Sequence, residues 1–108
     1  MNDTRLQHLM ELLRQDPDDP FLHYAVALEW MKTDPETASR HFDRLLEEHS
    51  GYLPAYYQAA GLYAALNRKR RAAEIYEAGI GLARQQGNFK TLAELQAAYA
   101  AFQDRDED

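Results

Sequence analysis

The sequence predicts an all-α fold of about six helices, and three observations carry this prediction. Residues that favour helices, above all Ala, Leu, Glu, Gln and Arg, dominate the 108 residues, whereas Gly and Pro number only five and four. Turn-forming residues interrupt the chain at helix-sized intervals. Within each interval, apolar side chains recur at the spacing of one helix face. Strand-rich folds are therefore disfavoured.

Turn formers and helix starters set the boundaries of these elements. They fall at residues 16–20, 33–35 and 50–54, at Asn67 and at Gly87. The resulting prediction is a series of helices at residues 4–15, 20–33, 35–49, 52–66, 68–86 and 88–103. Because the connections are short, consecutive helices should be antiparallel neighbours.

The first predicted helix is amphipathic. Its apolar residues form one stripe, made by Leu6, Leu9, Met10 and Leu13. Polar residues interrupt the leucines, so this segment lacks the apolar run of a secretory signal, and no segment is apolar enough for a membrane span.

The second and third helices begin with the same pair of residue types. Asp19 precedes Pro20, and Asp34 precedes Pro35. An Asp side chain can accept a hydrogen bond from a backbone N–H of the first turn, and proline suits the first helical position because its missing N–H costs nothing there. We therefore expect helix N-caps at Asp19 and Asp34.

The last three helices have signals at their ends and along their faces. Asn67 and Gly87 stand where the fourth and fifth helices should end, and both residue types tolerate the left-handed conformation common at that position. In the sixth helix one stripe should dock on the fifth, namely Leu92, Leu95, Tyr99 and Phe102. The opposite arc is mostly alanine, which is either a solvated surface or a place where a second helix can approach closely.

The chain also matches itself at a shift of about 34 residues. The matched pairs are Pro20 with Pro54, Ala25 with Ala59, Leu28 with Leu62, Ala38 with Ala72, and Phe42 with Tyr76. Small residues thus recur where two helices must cross closely, and an aromatic residue follows each second-helix alanine by one turn. A period of this length with two helices per unit resembles the tetratricopeptide repeat.

The two repeats follow the pattern of that family to different degrees. The second repeat carries it in Tyr56, Ala59, Ala60, Tyr63, Ala72 and Tyr76, with Ala59 in place of a large residue. The first repeat carries it in Leu22, Ala25, Val26, Ala38 and Phe42. It departs from the pattern at Glu29, where the family has an aromatic residue.

The resemblance implies a single domain over residues 1–108, built of antiparallel helix-turn-helix repeats stacked as a short right-handed α-solenoid. It divides the chain into a leading helix at 4–15, repeat one at 20–49, repeat two at 52–86, a C-terminal capping helix at 88–103 and an acidic tail at 104–108. Two repeats need such end helices, because a helix pair cannot bury its apolar face alone.

The resemblance also implies a site and a function. In the family, the first helix of each repeat lines a concave face on which partner peptides lie. By register this face includes Ala27, Ala64 and Ala65 and the predicted partner-binding residues His23, Trp30, Met31, Tyr57, Gln58, Gly61, Lys90 and Glu94. The implied function is a non-enzymatic module that binds another protein, of unidentified nature, through apolar or aromatic side chains. For Trp30 a second interpretation is that the leading helix covers it.

Two other functions remain open at this point. One is a self-associating structural subunit that forms a weak homodimer. The other is nucleic-acid binding through the basic run at residues 68–71, which the formal net charge of −6 opposes. The repeat period instead aligns Asp34 with Arg68 and Glu36 with Arg70, so we expect these acidic and basic turns to lie side by side.

Composition and residue spacing disfavour several kinds of chemistry. The chain has no cysteine, which removes disulfides, thiolate metal sites and cysteine nucleophiles, and fits a cytoplasmic location. The four histidines are scattered without a metal-ligand spacing. Ser39 and Ser50 have no recognisable catalytic partner. We therefore predict no catalytic residue, no metal and no cofactor.

Overall fold

A computed structural model describes the backbone of residues 4–106 and the side chains of residues 4–105. Helices make up 83% of this part of the chain, and no strand occurs in it. The six helices are α1 (Thr4–Gln15), α2 (Pro20–Met31), α3 (Pro35–Glu48), α4 (Pro54–Ala65), α5 (Lys69–Gln86) and α6 (Phe89–Asp106). The predicted all-α class is confirmed.

Most helix boundaries agree with the sequence pattern within one residue, and three differ from it by more. Helix α2 ends at Met31, and the next residue, Lys32, begins a tight turn by donating its N–H to the carbonyl groups of Glu29 and Trp30. Helix α4 begins at Pro54 rather than at residue 52, because proline occupies its first turn. Helix α6 continues to Asp106, so residues 104–106 of the predicted acidic tail are helical, while residues 107–108 lie outside the described residues.

The expected helix caps are confirmed. A side-chain oxygen of Asp19 accepts a hydrogen bond from the backbone N–H of Phe21 at 2.9 Å, and Asp34 accepts one from the backbone N–H of Thr37 at 3.2 Å. Asn67 and Gly87 both have a left-handed backbone, with φ angles of 61° and 69°.

The helices fall into two compact units, Met1–Tyr52 and Leu53–Asp108. In the first unit, α2 packs against both α1 and α3. The Trp30 ring stacks on His41 and the His23 ring meets His49, so α2 and α3 run in opposite directions. A small apolar cluster of Leu9, Ala25 and Val26 joins α1 to α2.

In the second unit, α5 packs against both α4 and α6. Helices α4 and α5 approach each other closely at Gly79, where a Cβ atom would lie 2.8 Å from the Cβ atom of Tyr56. The ring of Tyr76 on α5 lies 5.4 Å from that of Tyr99 and 5.6 Å from that of Phe102. The predicted docking of α6 on α5 is thus confirmed for Leu95, Tyr99 and Phe102.

The small residues that mark the repeat period are buried. Ala38, Ala59 and Ala72 have no exposed surface, and Ala25 is nearly covered. Within residues 4–106, no helix is both long and apolar enough to cross a membrane.

Candidate partner-binding site

The predicted site residues of the second unit include an exposed strip on α4. Its members are Tyr57, Gly61 and Ala65, one helical turn apart, and we call them the α4 strip. Tyr57 is 44% exposed. A Cβ atom added at Gly61 would meet nothing within 4 Å, so the backbone there is open to an incoming group. Gln58 lies beside the strip and is half-buried.

Lys90 and Glu94 lie on α6 in the same unit. Both side chains are exposed and one helical turn apart. Neither belongs to an ion pair with another residue whose side chain is described. Their charges therefore remain accessible to a binding partner.

The predicted site residues of the first unit are more covered than those of α4. Trp30 packs against the cluster of Leu9, Ala25 and Val26, and its ring stacks on that of His41 with the centroids 6.3 Å apart and the planes 11° apart. His41 of α3 therefore covers one face of the Trp30 ring.

His23 and Met31 are half-buried neighbours of Trp30 on the same helix. The Nε2 atom of His23 donates to the carbonyl oxygen of Pro17 at 2.6 Å. The placement of Ala27 on the binding face is wrong, because its side chain is fully buried and cannot touch a partner. Helix α2 packs against helices on two sides, which leaves less of its surface free than the spacing alone suggests.

The electrostatics near Trp30 favour an uncharged ring stack. Burial lowers the pKa of His41, and electrostatic interactions with His23, Arg44 and Arg40 lower it further. His41 is therefore neutral near pH 7, and the stack with Trp30 carries no charge of its own.

The basic run at 68–71 is partly engaged by its own unit. The guanidinium groups of Arg68 and Arg71 lie over the ring of Tyr63, 5.9 and 5.8 Å from its centroid. Arg71 also pairs with Glu74 at 3.6 Å. The pairing of Asp34 with Arg68 and of Glu36 with Arg70 stays a prediction.

Sequence reasoning missed the role of Glu29. Glu29 is 5% exposed, and its Oε1 atom pairs with the Nε atom of Arg5 at 2.7 Å and with the Nζ atom of Lys32 at 2.8 Å. Lys32 follows Glu29 at the i,i+3 spacing, which places both on one helix face and could have indicated this ion pair. Arg5 belongs to α1, and no local pattern announces a contact between two helices.

The polar groups of the described residues show no arrangement for metal binding. No cluster of three or more His, Asp or Glu side chains among them could hold a metal ion. Ser39 is buried and donates its hydroxyl to the backbone carbonyl of Glu36 at 2.7 Å, so this hydroxyl satisfies its own helix.

The chain is similar to two solved structures of tetratricopeptide repeat domain proteins from Salinibacter ruber. A solution NMR structure is 40% identical with a TM-score of 0.76, and the match covers 81% of this chain and 89% of the other. A crystal structure is 38% identical with a TM-score of 0.74, and the match covers 80% and 97% of the two chains.

A more distant similarity concerns the fold alone. The crystal structure of MamA is 14% identical with a TM-score of 0.64, and the match covers 94% of this chain and 68% of the other. No family model and no curated protein matches the chain.

Proposed function

The chain belongs to the tetratricopeptide repeat family, and on this premise we propose that it binds another protein without catalysing a reaction. The fold is in general that of a protein-interaction module. The proposed contact residues are those named by the repeat register, His23, Trp30, Met31, Tyr57, Gln58, Gly61, Lys90 and Glu94. The α4 strip is their proposed centre.

The exposure of Tyr57 beside the open backbone of Gly61 is the observation that carries this proposal. Tyrosine combines a large rigid ring with a hydroxyl, and it is enriched among the residues that dominate binding energy. Glycine lets a partner approach the backbone closely. A partner side chain can thus pack on the ring while its backbone runs over Gly61 and Ala65.

Affinity capture from an extract of the source cells tests this proposal with matched variants. Tyr57→Ala removes the ring, and Gly61→Arg fills the open position with a long charged side chain. Gly81→Arg is the control, because Gly81 is also an exposed helical glycine with nothing within 4 Å of an added Cβ atom. We expect one specific partner to be captured by the wild type and by Gly81→Arg, and to be lost with the other two variants.

Equal capture by Gly61→Arg and the wild type would refute the α4 strip as the binding surface. Cytoplasmic location is part of the same proposal, because a chain without cysteine forms no disulfide in an oxidising compartment. Recovery of the protein in a secreted or periplasmic fraction would refute the location.

Self-association is a second candidate function, and the surface of α6 favours it. Ala93, Ala97 and Ala101 are all exposed on one side of this helix. Small side chains let two helices approach closely, so the same helix of a second copy could pack there. Sedimentation at increasing concentration distinguishes this function from binding of a different protein.

A further inference from the structure

Glu29 stands in the first repeat where Tyr63 stands in the second, about 34 residues later. Tyr63 is 4% exposed and fills its place with an aromatic ring. Glu29 has no ring, and a groove of about 500 Å³ opens beside it. A carboxylate at an aromatic position of the repeat thus coincides with open space in the first unit.

The groove has mostly apolar walls. Its lining residues are Arg5 from α1, the α2 residues Phe21, Tyr24, Ala25, Leu28 and Glu29, and Lys32 just after α2. Phe21 is 57% exposed, so its ring is accessible on one wall of the groove. A volume of this order is typical of sites that enclose part of a ligand.

The polar side of the groove has an excess of positive charge. Glu29 holds Arg5 and Lys32 through the same oxygen, so the three charged groups that line the groove carry a net charge of +1. The ion pair with Glu29 uses the Nε atom of Arg5, and the guanidinium also carries two terminal nitrogens. They can donate two parallel hydrogen bonds to a carboxylate.

We propose that this groove binds a peptide segment of a partner protein in which an aromatic or aliphatic side chain is flanked by acidic residues. The apolar side chain packs between Phe21 and Leu28. A neighbouring carboxylate accepts hydrogen bonds from Arg5 and Lys32, which Glu29 positions. This groove uses none of the residues of the α4 strip, so its test can fail without affecting the proposed function.

The experiment uses the full chain and a capped tripeptide of aspartate, phenylalanine and aspartate, followed through backbone amide shifts in NMR spectra. We expect saturable shifts at the amides of Phe21, Leu28 and Lys32, with a dissociation constant on the order of 1 mM, as suits a ligand this small. A tripeptide with alanine at the centre, and one with lysines in place of the aspartates, should bind at least about tenfold more weakly.

Phe21→Ala should weaken binding of the acidic tripeptide at least about fivefold, because it removes one wall of the groove. Phe89→Ala is the matched control, because Phe89 is also an exposed phenylalanine in the first turn of a helix, and it should bind like the wild type. Three results would overturn the proposal: no saturable shift, equal binding of the lysine peptide, or equal binding by Phe21→Ala. Phenylacetate that binds as tightly as the tripeptide would also overturn it, in favour of a free small molecule.

Discussion

Three glycines lie inside helices, and their surroundings predict opposite effects of the same substitution. Gly61 and Gly81 face open space, whereas a Cβ atom at Gly79 would lie 2.8 Å from that of Tyr56 and 3.3 Å from a methyl group of Leu95. Gly61→Ala and Gly81→Ala should each raise the free energy of unfolding by about 0.5–1 kcal/mol, because alanine loses less backbone entropy in a helix.

Gly79→Ala should lower the free energy of unfolding by about 1–2 kcal/mol, because overpacking outweighs the same gain in helix propensity. Urea denaturation of the three variants measures all of these changes. A Gly79→Ala protein as stable as the other two would show that α4 and α5 do not cross at this position.

His41 should make stability depend on pH in a defined window. Its pKa in the folded protein is lowered, first by burial and then by His23, Arg44 and Arg40. At this imidazole the unfolded chain therefore binds a proton more readily than the folded protein does. The stability that depends on neutral His41 is complete above pH ~6.5, and it decreases as the pH falls toward the pKa of His41 in the folded protein. Asp34 does not contribute to the pH dependence in this window. Its pKa is lowered as well, so its carboxylate takes up a proton only below pH ~4.

The measurement is the melting temperature between pH 5 and 7.5 for the wild type and for His41→Phe. Phenylalanine keeps a ring on Trp30 but cannot take up a proton. We expect the wild type to lose more thermal stability than the variant as the pH falls. Parallel curves for the two proteins would contradict the lowered pKa of His41.

At the scale of the helices, local chemistry was sufficient to predict most of the fold. The N-caps Asp19 and Asp34 and the left-handed Asn67 and Gly87 depend only on neighbours in sequence, and all four are confirmed. The start of α4 at Pro54 follows the same rule for proline in the first turn, which the predicted start at residue 52 overlooked.

Contacts between helices were harder to predict than the helices themselves. Ala27 was wrongly placed on the surface, and the burial of Glu29 was missed, because both depend on what packs around α2. The Trp30 ring stacks on His41 of α3, a contact that neither sequence alternative named, and its cover by α1 stays a prediction. Sequence spacing shows which residues share a face, and it does not show how much of that face a neighbour covers.

The cap of α2 provides a prediction at this scale. Asp19→Ala removes the acceptor for the N–H of Phe21 and should lower the free energy of unfolding by about 1 kcal/mol. Asp18→Ala, one residue earlier, is the control, because the exposed Asp18 takes no part in capping the helix. Chemical denaturation of both variants measures the difference, and equal stability would mean that Asp19 does not cap α2.

At the scale of the whole molecule, the exposed alanines of α6 predict a weak homodimer. Sedimentation of the wild type at increasing concentration should show a reversible dimer. Ala97→Glu should weaken it, because a dimer would bury the new charge without a partner. Ala78→Glu on α5, which is also exposed, should not. A chain that stays monomeric at high concentration would rule out self-association and leave the binding of a different protein.

The central claim, that the chain binds another protein on the α4 strip, is tested most directly by photo-crosslinking. Because the chain has no cysteine, Gly61→Cys provides a single attachment point for a benzophenone reagent, and Gly81→Cys provides a matched one on α5. After irradiation in an extract of the source cells, we expect a specific crosslinked partner from position 61 and none from position 81. Crosslinking of the same partner from position 81 alone, or from neither position, would contradict the claim.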